Sequence, residues 1–289
     1  MKNQKYQVVI EDFLPKAQVL KLWKMLGMEL IDLNVACPDN YHSNKGQFHW
    51  RGGVLIFHSA AKLLISTNEI LTGIKKLNNQ FSAINRQPMA KAFGLKNRGG
   101  NNWVLDGTLG LGKDYFLARS FGFDVLGVEK SDLCLGLIST ATLEGDKIPD
   151  SSFYFNDTIS LIERSIKNSS NHLLFDEELL VSISKNSLAH ESLELFNKIH
   201  STMPTVVYLD PMYDEKNDSA LPSKAMQILR KELGVGHESD FDKLFTLSFK
   251  IALNRVVIKR SIKSKVKFEE KFSFSIFGKS TRYDVYLKN

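Results

Sequence analysis

Trp103–Lys130 reads WVLDGTLGLGKDYFLARSFGFDVLGVEK, and the fold of the chain turns on this stretch. The aliphatic pair Val104 and Leu105 leads into Asp106, followed by Gly107, Gly110 and Gly112. Tyr115, Phe116 and Ala118 set a helical pattern that runs to Gly122, and a second aliphatic run, Val125 to Val128, ends at Glu129. Strand, glycine turn, helix, strand and acidic residue, in that order, make the first half of a nucleotide-binding α/β unit. Each residue type has a physical reason. Glycine lets the backbone turn sharply and approach a ligand with no Cβ in the way, and a helix N-terminus presents unpaired N–H groups.

The turn is spaced Gly-x-x-Gly-x-Gly behind an aspartate, whereas the dinucleotide fingerprint is Gly-x-Gly-x-x-Gly with its first glycine directly after the strand. This difference favours S-adenosylmethionine over NAD. Asp106, Gly110 and Gly112 are the candidate cofactor residues of the turn, and Glu129 is placed to accept both hydroxyl protons of a ribose.

With 289 residues the chain is long enough for a sizeable core. Its net charge of +6 favours a polyanionic partner. Cys37 and Cys134 are the two cysteines, far apart and outside any CxxC pair, so neither a disulfide framework nor a thiolate zinc site is expected. The start, MKNQKYQVVIEDF, carries charge where a signal peptide needs an apolar core, and no apolar run approaches membrane-spanning length. The expectation is a soluble cytoplasmic protein with no membrane partner.

Two units are expected, an N-terminal α+β lobe over residues 1–80 that helps to bind substrate and the nucleotide unit over 81–289. In the lobe, a strand is expected at Tyr6–Ile10, an amphipathic helix around Val19–Leu26, and over Gly53–Ile65 a segment that is strand-like and then helical. His42, His49 and His58 match no zinc spacing, and no metal is expected. Pro88 and Gly94 bracket a short helix. Beyond Glu129, a helix over Leu133–Leu143 and a strand over Phe153–Phe155 lead to Asp157 and Thr158, which would lie on the ligand side of a parallel sheet. Asp157 can accept from an adenine amine or cap the helix Ile159–Ile166, and Thr158 can add a contact. Residues 167–187 look like a polar insertion, before a helix over Ser187–Ile199.

The strand Thr205–Leu209 ends in Asp210-Pro211-Met212-Tyr213, the form of motif that amino-group methylases carry at this strand end. A guanine or adenine amine has its lone pair delocalised into the ring and is a poor nucleophile. The Asp210 carboxylate can accept one amine hydrogen, the Pro211 carbonyl the other, and Tyr213 can stack on the base. The lone pair then points along the line of the departing group, so that most of the acceleration is positioning.

Five segments in one order now carry a resemblance: DGTLGLGKDYF (Asp106 to Phe116), GVEK (Gly127 to Lys130), VVYLDPMYDEKNDSA (Val206 to Ala220), VVIKRS (Val256 to Ser261) and RYDVY (Arg282 to Tyr286). From about Phe81 onward the chain resembles the bacterial ribosomal small-subunit RNA guanine-N2 methyltransferases of the J type. It departs from them at SAINRQ (Ser82 to Gln87), at Tyr213 in place of phenylalanine, and in the 167–187 insertion. The resemblance implies a Rossmann-like α/β methyltransferase sheet, mostly parallel and closed by a C-terminal antiparallel hairpin of RVVIK (Arg255 to Lys259) and YDVYL (Tyr283 to Leu287) at its edge. It also implies S-adenosylmethionine contacts at Lys113, Asp114, Glu129, Lys130 and Asp210, with Asp157 and Thr158 near the adenine.

Lys216 is a candidate to contact RNA phosphate or to shape its loop, and Lys259 and Arg260 belong to a basic run interleaved with Phe268, Phe272 and Phe274 that fits an RNA backbone or a solvated charged face equally well. The expected activity is methyl transfer to the N2 of a guanine in small-subunit (16S) ribosomal RNA, with ribosomal RNA or the small subunit as partner. Two alternatives stay open: the same cofactor with a DNA adenine or a protein amide as substrate, and a catalytically silent RNA-binding relative.

Overall fold

The computed structural model describes residues 6–32, 46–58, 64–78, 87–94, 102–145, 151–176, 180–183, 190–211, 224–234, 238–264 and 271–288. Gln7–Ile10 (β1), Ala17–Met25 (α1) and Glu29–Asp32 (β2) form a parallel β-α-β unit. Gln47–Arg51 (β3), Val54–His58 (β4) and Leu64–Ser66 (β5) extend it to a five-stranded sheet of order β2-β1-β3-β4-β5. In α1, Val19, Leu22 and Trp23 are the buried positions, the i, i+3, i+4 spacing of an amphipathic helix.

The strand-then-helix expectation for 53–65 needs correction. Gly53 lies in a turn, the other described residues there are strand, in β4 and the start of β5, residues 59–63 lie outside the described ones, and the helix Thr67–Asn78 (α2) begins only after Ser66. Ser66 and Glu69 make that boundary as a capping box: the Glu69 carboxylate accepts from Ser66 N at 3.1 Å, and the Ser66 hydroxyl accepts from Glu69 N at 3.4 Å. Pro88–Phe93 (α3) is the short helix expected, with proline in its first turn and Gly94 left-handed at its end (φ +81°).

The large sheet takes its strands from Val104–Asp106 (β6), Val125–Glu129 (β7), Ser151–Phe155 (β8), Leu180–Ile183 (β9), Val206–Leu209 (β10), Arg255–Ser261 (β11), Phe274–Phe277 (β12) and Thr281–Leu287 (β13). Lys113–Ser120 (α4), Asp132–Glu144 (α5), Thr158–Lys167 (α6), His190–Ile199 (α7), Lys224–Leu233 (α8) and Glu238–Ile251 (α9) connect them. The order is β12-β13-β11-β10-β6-β7-β8-β9, with β8, β7, β6, β10 and β11 parallel. The chain therefore reverses its direction of progress between β6 and β10. The crevice at that switch point, beyond the C-terminal strand ends, is where open α/β sheets take ligands.

RVVIK and YDVYL pair antiparallel as expected, but the outer edge belongs to β12, which pairs antiparallel with β13. The 167–187 insertion also contributes structure, since β9 runs antiparallel along β8 at the other edge.

Apolar residues fill both faces of this sheet. On one face Trp103, Leu105, Leu126, Val207, Val256 and Phe245 belong to one core. On the other face a larger core runs from Val104, Val125, Val206 and Val257 through α5 into Val8, Trp23, Trp50 and Phe57 of the N-terminal sheet. Inside it the Trp23 indole N–H donates to the Thr140 hydroxyl at 2.9 Å, tying α1 to α5.

Candidate active site

The glycine turn is clasped on all sides by the strands it follows. Gly107 N donates to the Tyr208 carbonyl (3.0 Å), Leu109 N to the Val128 carbonyl (3.2 Å), and Thr108 N to Asp106 Oδ1 (3.1 Å). From below, the Thr158 hydroxyl donates to the Gly107 carbonyl at 2.8 Å. The Glu129 carboxylate spans the turn and the next helix, accepting from Gly110 N at 2.7 Å and from Ser131 N at 2.8 Å. Burial pushes the Glu129 carboxyl up, and these two N–H donors pull it back toward ionisation. Asp106 lies deeper, 1% exposed, and burial raises its carboxyl well above the ordinary range, with Asp114, Asp210 and Glu129 adding repulsion.

Two left-handed glycines shape the ligand side. Gly112 (φ +75°) is packed so closely on α5 that a Cβ would lie 2.0 Å from Ile138 Cδ1. Gly110 (φ +54°) faces open space, the Thr108 carbonyl oxygen at 3.9 Å being the nearest atom to a Cβ there.

Asp210 follows β10 and is built into the same unit, since its backbone N donates to the Thr108 hydroxyl at 2.6 Å. Its Oδ2 lies 2.8 Å from Lys259 Nζ, and the same ammonium lies 2.7 Å from Asp114 Oδ2. Asp114 Oδ2 also accepts from the Tyr208 hydroxyl at 2.5 Å. Burial raises the Asp210 carboxyl to about 6; Lys259 opposes the rise and Asp114 adds to it. Burial alone would lower the Lys259 ammonium, but Asp210 and Asp114 overcome it and hold the charge above the usual lysine range. Tyr283, opposite Lys259 on β13, is pushed up to about 12 by burial and by Asp114.

A family model described as a putative SAM-dependent methyltransferase matches residues 58–181 and 174–288. A ribosomal RNA small subunit methyltransferase J of Photobacterium profundum is 32% identical over 228 residues, 79% of each chain. One of Saccharophagus degradans is 32% identical over 236 residues, 79% of this chain and 78% of its own. The chain belongs to the ribosomal RNA small subunit methyltransferase J family. A SAM-dependent methyltransferase structure from Neisseria gonorrhoeae, 19% identical, shares the fold over 97% of this chain and 95% of its own with a TM-score of 0.60.

A J-family methyltransferase uses S-adenosylmethionine, and the residues present fit that group. Gly110 leaves a cradle that a side chain would fill, the Glu129 carboxylate stands at the end of β7, and Asp114, Glu129 and Asp210 outnumber the one ammonium among them, which suits a cationic sulfonium.

Of the expected cofactor residues, Gly110, Gly112, Asp114, Glu129 and Asp210 come together around the turn, with Lys113 and Lys130 exposed beside it. Four expectations are corrected. Asp106 is sealed beneath the turn and braces it through Thr108 N instead of facing a ligand. Thr158 is buried with its hydroxyl committed to Gly107, so it supports the turn from behind. Arg260 is 4% exposed and paired with Asp284 at 3.3 Å on the opposite face of β11 from Lys259, so its guanidinium is committed inside the protein. Lys259 is enclosed between two carboxylates and offers no open cation to a phosphate.

Asp157 accepts from Ser160 N at 3.1 Å and so caps α6, one of its two expected roles. Pro211 is half-buried beside Asp210. Tyr213 and Lys216, with Lys265, Lys267 and Phe268 of the basic run, lie outside the described residues. Thr108 and Tyr208 went unnoticed in the sequence. The signal for Tyr208 is its strand period: two residues before Asp210, it shares that residue's side of β10.

No described helix is long and apolar enough to cross a membrane, and no group of three metal-ligating side chains occurs among the described residues.

Proposed function

We propose that the chain transfers a methyl group from S-adenosylmethionine to the exocyclic N2 of a guanine in small-subunit (16S) ribosomal RNA. The observation that carries this reading is the bond from Asp210 N to the Thr108 hydroxyl, which joins the Asp-Pro acceptor pair and the glycine turn into one rigid unit at the switch point. The cofactor supplies an electrophilic methyl on its sulfonium; the chain supplies position. Gly110 and Glu129 hold the nucleoside end, with Lys113, Lys130 and Asp157 around it. A guanine taken out of its stack lies against Asp210, Pro211 and Tyr213. The ionised Asp210 carboxylate and the Pro211 carbonyl accept the two amine hydrogens, which turns the nitrogen lone pair toward the methyl. Lys216 contacts the RNA backbone. Relatives named as small-subunit ribosomal RNA methyltransferases and the net charge of +6 support RNA as the partner, and ribosomal RNA as substrate implies work in the cytoplasm.

The test is incubation with labelled S-adenosylmethionine and small ribosomal subunits lacking their native methyl marks, followed by digestion to nucleosides. N2-methylguanosine is expected from the wild type. Asp210→Ala should lose at least 100-fold in kcat with an unchanged unfolding midpoint, while label confined to DNA or protein would move the substrate class.

A further inference from the structure

An aspartate that accepts an amine hydrogen needs no cation beside it for that purpose, yet the Asp210 carboxylate is engaged by an ammonium that a second carboxylate anchors. Lys259 Nζ reaches Asp210 Oδ2 at 2.8 Å and Asp114 Oδ2 at 2.7 Å, and the Tyr208 hydroxyl fixes Asp114 from the other side. Three elements, α4, β10 and β11, thus meet through one nitrogen. We propose that Lys259 is a positioning residue for methyl transfer, bridging Asp114 and Asp210 so that Asp210 is held ionised, with Oδ2 engaged and Oδ1 turned to the incoming amine. The proposal rests on the amino-methyl transfer argued above.

An unbridged Asp210 side chain, at the end of a strand and partly exposed, would turn freely about its two side-chain torsions. The ammonium removes that freedom at the reacting group, where a displacement of about 1 Å costs about 100-fold in rate. The charge balance points the same way. Asp210 is faced by Asp114 from α4, Lys259 from β11, and Tyr208 and Tyr283 from β10 and β13, with Asp106 and Glu129 beyond. Two carboxylates this close cannot both stay ionised near neutral pH without the cation between them. A protonated Asp210 donates where it should accept. With Lys259 in place the trio of Asp114, Lys259 and Asp210 carries one net negative charge, suited to a cationic methyl donor.

Steady-state kcat and KM on undermethylated small subunits, measured from pH 5 to 9, read this directly for wild type, Lys259→Arg, Lys259→Met and Asp114→Asn. The Asp210 carboxyl is titrated in parallel by NMR of Cγ-labelled aspartate, its signal assigned by its loss in Asp210→Asn. In wild type, activity should fall on the acid side with a midpoint of about 6. In Lys259→Met that midpoint should move up by a unit or more, with kcat at pH 7 reduced at least 10-fold and recovering toward pH 9. Lys259→Arg should stay near wild type, and Asp114→Asn, which removes the repelling carboxylate, should move the midpoint down. A uniform loss in Lys259→Met, with both the acid limb and the Cγ titration unmoved, would overturn the role. If Lys259→Met does not fold, an unshifted titration in Asp114→Asn overturns it instead. A wild type that labels no ribosomal guanine overturns the substrate reading, and the Cγ titration still decides for or against Lys259.

Discussion

At Gly112 an added Cβ would stand 2.0 Å from Ile138 Cδ1, whereas at Gly110 it would meet nothing nearer than 3.9 Å. Both residues are left-handed, so alanine costs each about 1 kcal/mol of backbone strain. The second term separates them. Gly112→Ala must displace the Ile138 side chain inside the core and should lose about 2–4 kcal/mol of stability in chemical denaturation. Gly110→Ala should lose only about 1 kcal/mol but weaken S-adenosylmethionine binding at least 10-fold by calorimetry, because its methyl group enters the cradle. Equal stability losses with cofactor affinity retained would refute the cradle.

Legibility at this scale followed the apolar pattern. The strand-end positions of Asp210, Pro211 and Glu129 could be read from sequence because buried apolar runs lead directly into them. Lys259 and Arg260 were taken together as part of a basic run, although a strand turns neighbouring side chains to opposite faces. The alternation in VVIKRS already separated them; what it could not reveal was that Asp114 and Asp284 wait on the two sides.

Asp284 explains how β11, β12 and β13 hold together at the sheet edge. Fully buried, it forms an ion pair with Arg260 of β11 at 3.3 Å and accepts from the Ser275 hydroxyl at 2.5 Å on β12 and from Arg282 Nε at 3.1 Å on its own strand. A buried carboxylate with these partners is costly to remove because it strands a buried guanidinium. Asp284→Ala should destabilise by about 3–5 kcal/mol in denaturant unfolding, while its residual activity keeps the wild-type acid limb, since the pair lies on the far face from Asp210. The elements themselves were unevenly legible. The parallel strands β6, β7, β8 and β10 are buried aliphatic or aromatic runs bounded by turn residues, and all four were found. Strand β12, FSIF, breaks the phenylalanine–serine alternation of the residues before it at Phe277, and its aromatic residues among lysines read equally well as stacking groups for RNA. Strand β9, LVSI, is itself a short run with strand-favouring Val181 and Ile183, but the serine- and asparagine-rich residues around it hid its pairing with β8.

The largest core belongs to both parts of the molecule, which bears on how the chain unfolds. Val8, Trp50 and Phe57 of the N-terminal sheet and Trp23 of α1 share one continuous apolar cluster with Leu135 and Ile138 of α5 and Val125 and Val206 of the large sheet. Two units separated by a polar interface would unfold independently, whereas units that share a core lose their main stabilising term together. The three tryptophans make this measurable: Trp23 and Trp50 report the N-terminal sheet, and Trp103 lies on the far side of the large sheet. Denaturant unfolding followed by tryptophan fluorescence and by far-ultraviolet circular dichroism should give one coincident transition. Trp23→Phe keeps an aromatic ring but withdraws the indole N–H from the Thr140 hydroxyl at the junction of α1 and α5 and leaves the space of the lost five-membered ring. It should shift the whole transition by about 1–3 kcal/mol without splitting it. A split into two transitions, with the activity-bearing part keeping its wild-type midpoint, would show that the N-terminal sheet is a separate unit.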